Sequence, residues 1–465
     1  MSEHWDVVVI GAGPAGLAAT QCTAGHGARV LLLDEQPAPG GQIYRRIEHA
    51  AKDQRLRAIL GTDYLRGEAL AAAGRSSGAE YRPSSSVWQV TPQREIWFSQ
   101  GGRSCHVQAD AVILATGAME RPVPVPGWTL PGVMTAGALQ IMLKSSGLVP
   151  AVPFIVAGSG PLLYLLVEQC LAAGARPAAV LDTMPRLNLL AALRHLPAAA
   201  LSPEGRRYMA KGLAMLRGLR RSGVPVYRGA GDLRIEGSDA VSGVAFRSGG
   251  RSHRLAASLV ALHEGVIPAQ QLARSIGCDF AWDPVQRCFA PVVDAWGASS
   301  VDAVLIAGDA GGIGGARAAE YAGTLAGLEA LRRIGRIDPG RRDALATAPW
   351  QEREAHLAIR RFLDALYAPR REVLLPADDV MVCRCEEVTA GAVRAVVRQG
   401  CLGPNQAKAF LRAGMGPCQG RLCGPTVVEV IADARGVAPA DVGYYRIRPP
   451  LKPITVEELL AAAAD

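Results

Sequence analysis

Short apolar runs that end in glycine or acidic residues alternate with helix-like segments along the chain. Val7–Ile10 is followed by Gly11, and Arg29–Leu33 is followed by Asp34. Apolar runs of about four to eight residues between turn residues are typical of strands buried on both faces of a parallel sheet. The same pattern recurs at 112–115, 154–157, 178–181 and 304–307. This alternation predicts an α/β fold.

The turn after the first apolar run has the spacing of a dinucleotide-binding turn, Gly11-Ala12-Gly13-Pro14-Ala15-Gly16. In such turns the first glycine permits the bend, the second lets the backbone approach a pyrophosphate, and the third lets the helix pack closely. We predict this helix from Ala15 to His26, with its free N–H groups toward phosphate. Asp34 lies 18 residues after Gly16, near the spacing of about 20 expected for an acid on ribose hydroxyls.

A second turn of this kind is incomplete, because Leu163 stands where the third glycine belongs in Gly158-Ser159-Gly160-Pro161-Leu162-Leu163. We expect this leucine to hold the helix away from the strand. The next strand ends at Asp182 without an arginine pair for a 2′-phosphate, and a leucine-rich helical insert follows over residues 187–221. The prediction is a retained lobe that serves as scaffold or docking surface, with NAD(P)H binding disfavoured.

Composition and chain ends exclude several classes of protein. The chain has 465 residues, of which 49% are apolar and 20% charged, so it is neither disordered nor a single small domain. We interpret the net charge of +8 as arginines scattered singly, which does not indicate nucleic-acid binding. The N-terminus lacks a signal peptide pattern, and no apolar run reaches about 18 residues, so we expect a cytoplasmic protein.

Five of the ten cysteines lie between residues 383 and 423, and the others are isolated. Cys383 and Cys385 precede, and Cys418 and Cys423 follow, two short helices that we predict over 389–400 and 405–414 with N-caps and terminal glycines. Four thiolates on two loops could hold Zn²⁺ or a [2Fe–2S] cluster, or be an empty remnant. Cys401 fits neither pair.

No cysteine pair lies where disulfide reductases keep theirs. Residues 41–45 and 134–147 contain no cysteine. Thiol–disulfide exchange needs a dithiol. The chain is therefore not a thioredoxin or glutathione reductase.

Three ordered patterns, the first turn, Thr116-Gly117 and Gly308-Asp309, resemble those of the FAD-dependent pyridine-nucleotide-disulfide reductase superfamily, the two-dinucleotide-domain flavoproteins. The resemblance implies that Asp309 binds the ribityl chain, that Gly315 and Ala316 begin a helix facing the flavin, and that Gln42 lies beside the ring. The cofactor-binding set implied is Gly11, Gly13, Pro14, Ala15, Gly16, Asp34, Glu35, Gly41, Gln42, Val87, Thr116, Gly117, Gly308, Asp309, Gly315 and Ala316.

The cysteine pattern resembles the BFD-like [2Fe–2S] domain, which favours the cluster, with Cys383, Cys385, Cys418 and Cys423 as ligands. The whole chain is similar to the α subunit of hetero-oligomeric amino-acid dehydrogenases, a group that includes opine oxidases, proline and hydroxyproline dehydrogenases and hydrogen cyanide synthase. That resemblance implies a flavoprotein β subunit that oxidises the amine, a small third subunit, FMN at the α/β contact, and a quinone acceptor reached at the membrane.

We divide the chain on this basis into six parts. Residues 1–120 and 291–335 form an FAD-binding domain, 121–290 a degenerate NAD(P)-binding-like domain, 336–377 a helical linker, 378–436 the cluster domain and 437–465 a C-terminal arm. We predict the linker helix from Trp350 to Tyr367, and a proline-rich arm that needs a partner surface. Two other functions stay open: a self-sufficient NAD(P)H-dependent reductase and a non-catalytic scaffold.

Overall fold

The first lobe is built on a seven-stranded sheet at the N-terminal end of the chain. The structure is a computed structural model that describes the backbone of residues 3–464 and the side chains of residues 3–460. The elements are β1 (Glu3–Ile10), α1 (Pro14–Gly25), β2 (Val30–Leu33), α2 (Ile47–Ala50), α3 (Gln54–Leu60), α4 (Thr62–Arg75), β3 (Glu80–Arg82), β4 (Ser85–Val90), β5 (Glu95–Gln100) and β6 (Arg103–Leu114).

Six of the seven strands of this sheet have the order β3-β2-β1-β6-β5-β4. The neighbours β3 and β2, β2 and β1, and β1 and β6 pair in parallel. Val7 on β1 lies between Val30 and Ala111 and is fully buried. Apolar side chains on both faces are what a sheet covered by helices requires. The predicted strand at 112–115 is the end of a longer strand, because β6 also forms an antiparallel hairpin with β5.

The second lobe has its own parallel sheet with a helical insert and an antiparallel layer. Its elements are β7 (Ala118–Glu120), β8 (Val133–Thr135), α5 (Ala136–Ser146), β9 (Phe154–Ser159), α6 (Pro161–Ala172), β10 (Ala179–Asp182), α7 (Arg186–Leu193), α8 (Leu196–Leu201), α9 (Pro203–Ser222), β11 (Val226–Arg228), β12 (Gly231–Gly237), β13 (Val241–Ser248), β14 (Arg251–Ala256), β15 (Leu259–Glu264), β16 (Val266–Pro268), α10 (Gln271–Ile276), β17 (Phe280–Asp283) and β18 (Cys288–Pro291). The five-stranded sheet has the order β11-β10-β9-β15-β8, with every pair parallel.

The chain then returns to the first lobe before it forms the cluster domain. The remaining elements are β19 (Val304–Ile306), α11 (Ala316–Arg333), α12 (Pro339–Leu357), α13 (Arg360–Leu366), α14 (Arg371–Leu374), β20 (Met381–Cys383), β21 (Val388–Thr389), α15 (Ala390–Arg398), α16 (Pro404–Leu411), α17 (Gly424–Arg435), α18 (Pro439–Val442) and α19 (Val456–Ala464). β19 pairs with β6 in parallel and so completes the first sheet. A short 3-10 turn over Gly308–Ala310 follows it.

The predicted linker helix over 350–367 is wrong. Two helices lie there, and the first begins earlier, at Pro339, because the Asp338 carboxylate accepts the Arg341 N–H at 2.9 Å. The prediction missed this aspartate–proline start signal. The second helix is α13, so the chain breaks its helical path between Leu357 and Arg360.

The arm after the cluster domain was predicted to need a partner surface, and that prediction is also wrong. The Leu451 N–H donates to the Trp88 carbonyl at 2.9 Å, and Lys452 pairs with Glu35 at 2.6 Å. Asn405 does not cap α16, which has Gly403 at its N-cap without a side-chain bond. Its amide donates instead to the Tyr444 carbonyl of the arm at 3.1 Å. The arm therefore packs against the first lobe and the cluster domain of its own chain.

Candidate functional site

The first glycine turn lies where β1 passes into α1. Gly11 has φ +105°, and a Cβ atom there would lie 2.5 Å from the Ala115 carbonyl oxygen. A Cβ atom on Gly16 would overlap the Gly11 carbonyl oxygen. The helix begins after Gly13 without a side-chain cap, so its first N–H groups have no side-chain acceptor. The turn leaves backbone donors available to an anion.

Asp34 is fixed at the carboxyl end of β2 beside this turn. Its carboxylate accepts the Ala12 N–H, and also the Gln36 N–H at 2.6 Å. Burial raises the pKa of the Asp34 carboxyl, against the two backbone donors that lower it. Glu35 is exposed and pairs with Lys452. Asp34 therefore faces the turn, whereas Glu35 faces the C-terminal arm.

Two further loops converge on the turn. A Cβ atom on Gly41 would lie 2.8 Å from the Gly13 Cα, and one on Gly308 would lie 2.7 Å from the Ala15 Cβ. Asp309 follows Gly308 directly. The structure thus brings the Gly40–Gly41 loop and the 3-10 turn against the same end of α1.

The other predicted cofactor residues lie around this convergence. Asp309 Oδ1 accepts the N–H groups of Gly314 and Gly315 at 2.8 and 2.9 Å, so it orders the start of α11 at Ala316. Thr116 Oγ1 donates to the Ala269 carbonyl at 3.4 Å, and the Ala269 N–H donates to the Gly117 carbonyl at 3.0 Å. Val87 packs against the apolar core of the first lobe.

Two buried cations beside Gln42 were missed by the sequence prediction. Arg45 is buried, its Nη2 donates to Gln42 Oε1 at 2.8 Å, and its Nε has no hydrogen-bond partner among the described residues. Lys144 on α5 donates to the Gln42 carbonyl at 3.2 Å and to Gln140 Oε1 at 2.8 Å. Burial lowers the pKa of Lys144 to about 7. The only signal for Arg45 was its place three residues after Gln42, and Lys144 had none.

These residues fit a flavin dinucleotide. Backbone atoms line the turn because Cβ atoms have no room there. The buried Nε–H of Arg45, which has no hydrogen-bond partner among the described residues, belongs to a guanidinium that interacts with the Asp34 carboxylate. An unsatisfied buried donor is costly unless a ligand accepts from it. A phosphate or ribose group is the ligand chemistry that this donor set requires.

The four predicted cluster ligands form two pairs. The Sγ atoms of Cys385 and Cys418 lie 3.9 Å apart, and Cys383 is hydrogen-bonded to Cys423. Two thiolates on one tetrahedral metal lie about 3.8 Å apart for metal–sulfur bonds of about 2.3 Å. Among the described side chains no group of three or more His, Cys, Asp or Glu could hold one ion. Two separate pairs fit the two irons of a [2Fe–2S] cluster better than one zinc.

The two pairs differ in their surroundings. Cys383 and Cys423 are buried, whereas Cys385 is exposed and Cys418 half-buried. A hydrogen bond with Cys423, together with the N–H groups of Gly414, Glu386 and Cys385, lowers the pKa of Cys383 to about 6. The Tyr445 hydroxyl lies 3.8 Å from the Cys423 Sγ. One edge of this site therefore faces solvent, and the other is surrounded by donors. Cys401 is buried and donates to the Gly403 carbonyl, outside both pairs.

The nucleotide crevice of the second lobe is occupied by the chain itself. The His263 ring lies against Gly160, and its Nδ1 contacts Glu120 at 2.7 Å. The buried Glu264 carboxylate accepts hydrogen bonds from Ser159 Oγ at 3.2 Å, Thr183 Oγ1 at 2.9 Å and Arg370 Nε at 2.9 Å. These groups stand at the carboxyl ends of β9, β10 and β15, where dinucleotides bind in such sheets. Leu163, at the position of the missing third glycine, is fully buried in the apolar core of this lobe.

The family model of pyridine nucleotide-disulphide oxidoreductases matches residues 5–323, and that of the BFD-like [2Fe-2S] binding domain matches residues 381–433. The chain belongs to the pyridine nucleotide-disulphide oxidoreductase family. The two domains imply FAD and an iron–sulfur cluster, and they confirm the predicted α/β fold with its C-terminal [2Fe–2S] domain.

Relatives within this family match nearly the whole chain. It is 48% identical to an opine oxidase subunit of Rhizobium meliloti (strain 1021), over 98% of both chains. It is 35% identical to the hydrogen cyanide synthase subunit HcnB of Pseudomonas aeruginosa, over 96% of both. The structure of L-proline dehydrogenase from P. horikoshii has the same fold, with a TM-score of 0.72 at 18% identity over 99% of this chain and 80% of that one. The predicted resemblance to the α-subunit group is confirmed.

Proposed function

We propose that this chain is the electron-transfer subunit of a hetero-oligomeric dehydrogenase that oxidises a secondary amino acid, either an opine or proline or hydroxyproline. The names of its relatives, which are subunits of oxidases or synthases, support a multi-subunit complex. A β subunit of the amino-acid-oxidase type would oxidise the amine, and a quinone would accept the electrons. The same proposal includes a third subunit, together with an FMN at the α/β contact.

The observation that carries this proposal is the occupied crevice of the second lobe. His263 and the Glu264–Arg370 pair lie at the strand ends of the second sheet, where a dinucleotide would bind in a fold of this kind. Glu264 and Arg370 are both buried and form an ion pair, so this arginine is already used by the chain itself. This arrangement supports a source of electrons other than NAD(P)H, and in the proposal a partner that oxidises an amine is that source.

Within the chain, the predicted cofactor residues other than Glu35, which pairs with Lys452, would hold FAD, and the two cysteine pairs would hold the cluster. FAD takes up one or two electrons and a [2Fe–2S] cluster one at a time, so the two together can divide the electron pair of an amine oxidation. Asp34 and the free N–H groups of α1 would bind the adenosine and phosphates, while Asp309 orders the start of α11. The edge at Cys385 and Cys418 faces solvent, and we expect a partner to exchange electrons with the cluster there.

Anaerobic mixing tests the proposal against an NAD(P)H-dependent reductase, which the retained Gly158 and Gly160 favour. We expect the flavin of the purified complex to bleach with an opine or proline and to stay oxidised with NADH or NADPH. Prompt bleaching by NADPH would establish the reductase instead. Full amine oxidation by this chain alone would contradict the division of labour.

A Cys418→Ser variant separates electron transfer from a scaffold role. We expect the complex to assemble, as seen by size-exclusion chromatography, but to lose turnover and the cluster's electron paramagnetic resonance signal. Unchanged turnover in the assembled complex would mean that the cluster domain is only structural.

A further inference from the structure

The net positive charge of the chain, the excess of basic over acidic residues, is concentrated in the helical insert. Residues 186–222, which span α7 to α9, contain eight lysines and arginines and a single acid, Glu204, so they carry a net charge of +7. The whole chain carries +8, which leaves +1 for all other residues. The interpretation of the arginines as scattered singly was therefore wrong.

The same insert exposes an unusual number of leucines. The exposed fractions are 75% for Leu187, 66% for Leu190, 47% for Leu193 and 80% for Leu201. With 3.6 residues per turn, the three leucines of α7 lie on one face of that helix. Large apolar side chains that cluster at a surface mark a binding site.

The opposite face of α7 is held by the rest of the chain. Asn188 Nδ2 donates to the Leu366 carbonyl at 3.2 Å and to the Ala368 carbonyl at 3.3 Å. Ala192 is fully buried against Ala365 and Leu366. Because these contacts hold one face of α7 against the protein, the opposite face, which carries the leucines, points toward solvent.

Arginines flank these leucines without acidic neighbours along the chain. Arg186 and Arg194 are exposed and lie on the same face of α7 as Leu190. Arg206 donates to the Ala200 and Leu201 carbonyls, beside the most exposed leucine. No aspartate or glutamate occurs between Asp182 and Glu204. The leucines and arginines of α7, Leu187, Leu190, Leu193, Arg186 and Arg194, form what we call the leucine–arginine patch.

We propose that the leucine–arginine patch binds the surface of an anionic lipid bilayer. Leucines at the acyl boundary and arginines at the headgroups are the pattern of interfacial helices, whose binding combines apolar burial with attraction to anionic lipid. No helix within residues 3–464 has the length and apolar character to cross a bilayer, so contact would be with the surface. The proposal goes beyond the proposed function and does not depend on which amine is oxidised.

Vesicle flotation of the purified complex tests this surface without turnover. We expect binding to vesicles that contain phosphatidylglycerol, weaker binding at high salt, and little binding to phosphatidylcholine alone. Leu187→Ser with Leu190→Ser should weaken binding by roughly tenfold per leucine. Arg186→Gln with Arg194→Gln should weaken it by about fivefold per arginine.

The control is Leu402→Ser, which removes a leucine that is 57% exposed in the cluster domain and should leave flotation unchanged. All variants should keep their melting temperature, since the side chains are exposed. The proposal is overturned if the unaltered complex does not float with phosphatidylglycerol, or if the leucine variant floats equally well. It is also overturned if the leucine variant releases a partner subunit on size exclusion, which would make the patch a subunit interface.

Discussion

The two lobes contain the same strand–turn–helix unit but surround it differently. In the first lobe, the turn at Gly11–Gly16 is lined by backbone and by Asp34, and the buried Nε of Arg45 has no hydrogen-bond partner among the described residues. In the second lobe, the turn at Gly158–Leu163 is covered by His263 and by the Glu264–Arg370 pair. Both helices begin without a side-chain cap, so the difference lies in the side chains that surround each turn.

This difference shows that a glycine turn reports a backbone path and not a ligand. Gly158 and Gly160 keep φ values of +141° and +118°, which other residues rarely adopt, so the bend requires them whether or not a nucleotide binds. The ligand capacity is decided by residues far away in sequence. Arg370 reaches the second crevice from the linker, 106 residues after Glu264.

The largest effect that separates the two turns is expected from paired alanine substitutions. Gly16→Ala places a Cβ atom onto the Gly11 carbonyl oxygen, so the turn cannot close, and bound flavin should be lost. Leu163→Ala removes a fully buried side chain and should lower stability by about 2–5 kcal/mol while flavin remains. Flavin absorbance per chain after desalting measures the contrast.

Folding must be checked separately for this pair. Circular dichroism and the melting temperature show whether Gly16→Ala still folds. A folded Gly16→Ala protein with full flavin content would mean that the cofactor lies elsewhere. Loss of flavin from a folded Leu163→Ala protein would mean that the second lobe takes part in holding it.

Much of the fold could be predicted because its signals are local. The apolar runs that became β1, β2, β9 and β19 are followed by glycine or acidic residues, and each pattern is readable within about ten residues. The start of α12 at Pro339 was missed although its signal is local, since the predicted helix begins directly after Pro349, a proline that α12 accommodates in its interior. The docking of the arm on Trp88 depends on residues brought together only by folding.

The same distinction applies to the candidate site. The glycines and the cysteine pairs have fixed spacings, so their positions could be predicted from the sequence. Lys144, His263 and Arg370 could not, because each is a single residue within an ordinary helix, strand or linker. Their roles arise from contacts with Gln42, Gly160 and Glu264, which no local pattern reports.

The next largest effect should come from opening the second crevice. Arg370→Met leaves the Glu264 carboxylate buried without its cation, and breaking one side of a buried pair costs about 3–5 kcal/mol. The double variant Arg370→Met with Glu264→Gln should regain most of that loss, because no unpaired charge remains. Chemical denaturation measures both. Equal losses in the single and double variants would show that the pair does not hold the linker over this crevice.

The smallest effect concerns the contact between the lobes at Lys144, which lies on a second-lobe helix and donates to the first-lobe Gln42 carbonyl. Burial lowers the pKa of Lys144 from 10.5 to about 7, so the unfolded chain binds more protons than the folded one between pH 7 and 10.5. Stability contributed by this group therefore rises with pH in that window, by about 2 kcal/mol from pH 7 to pH 9. Lys144→Met should lack this rise, whereas Lys211→Met, which removes a lysine that is 40% exposed, should keep it. Melting temperatures at the two pH values give the comparison. Parallel pH profiles for the Lys144→Met and unaltered proteins would show that Lys144 keeps its proton in the folded protein, so that burial does not lower its pKa.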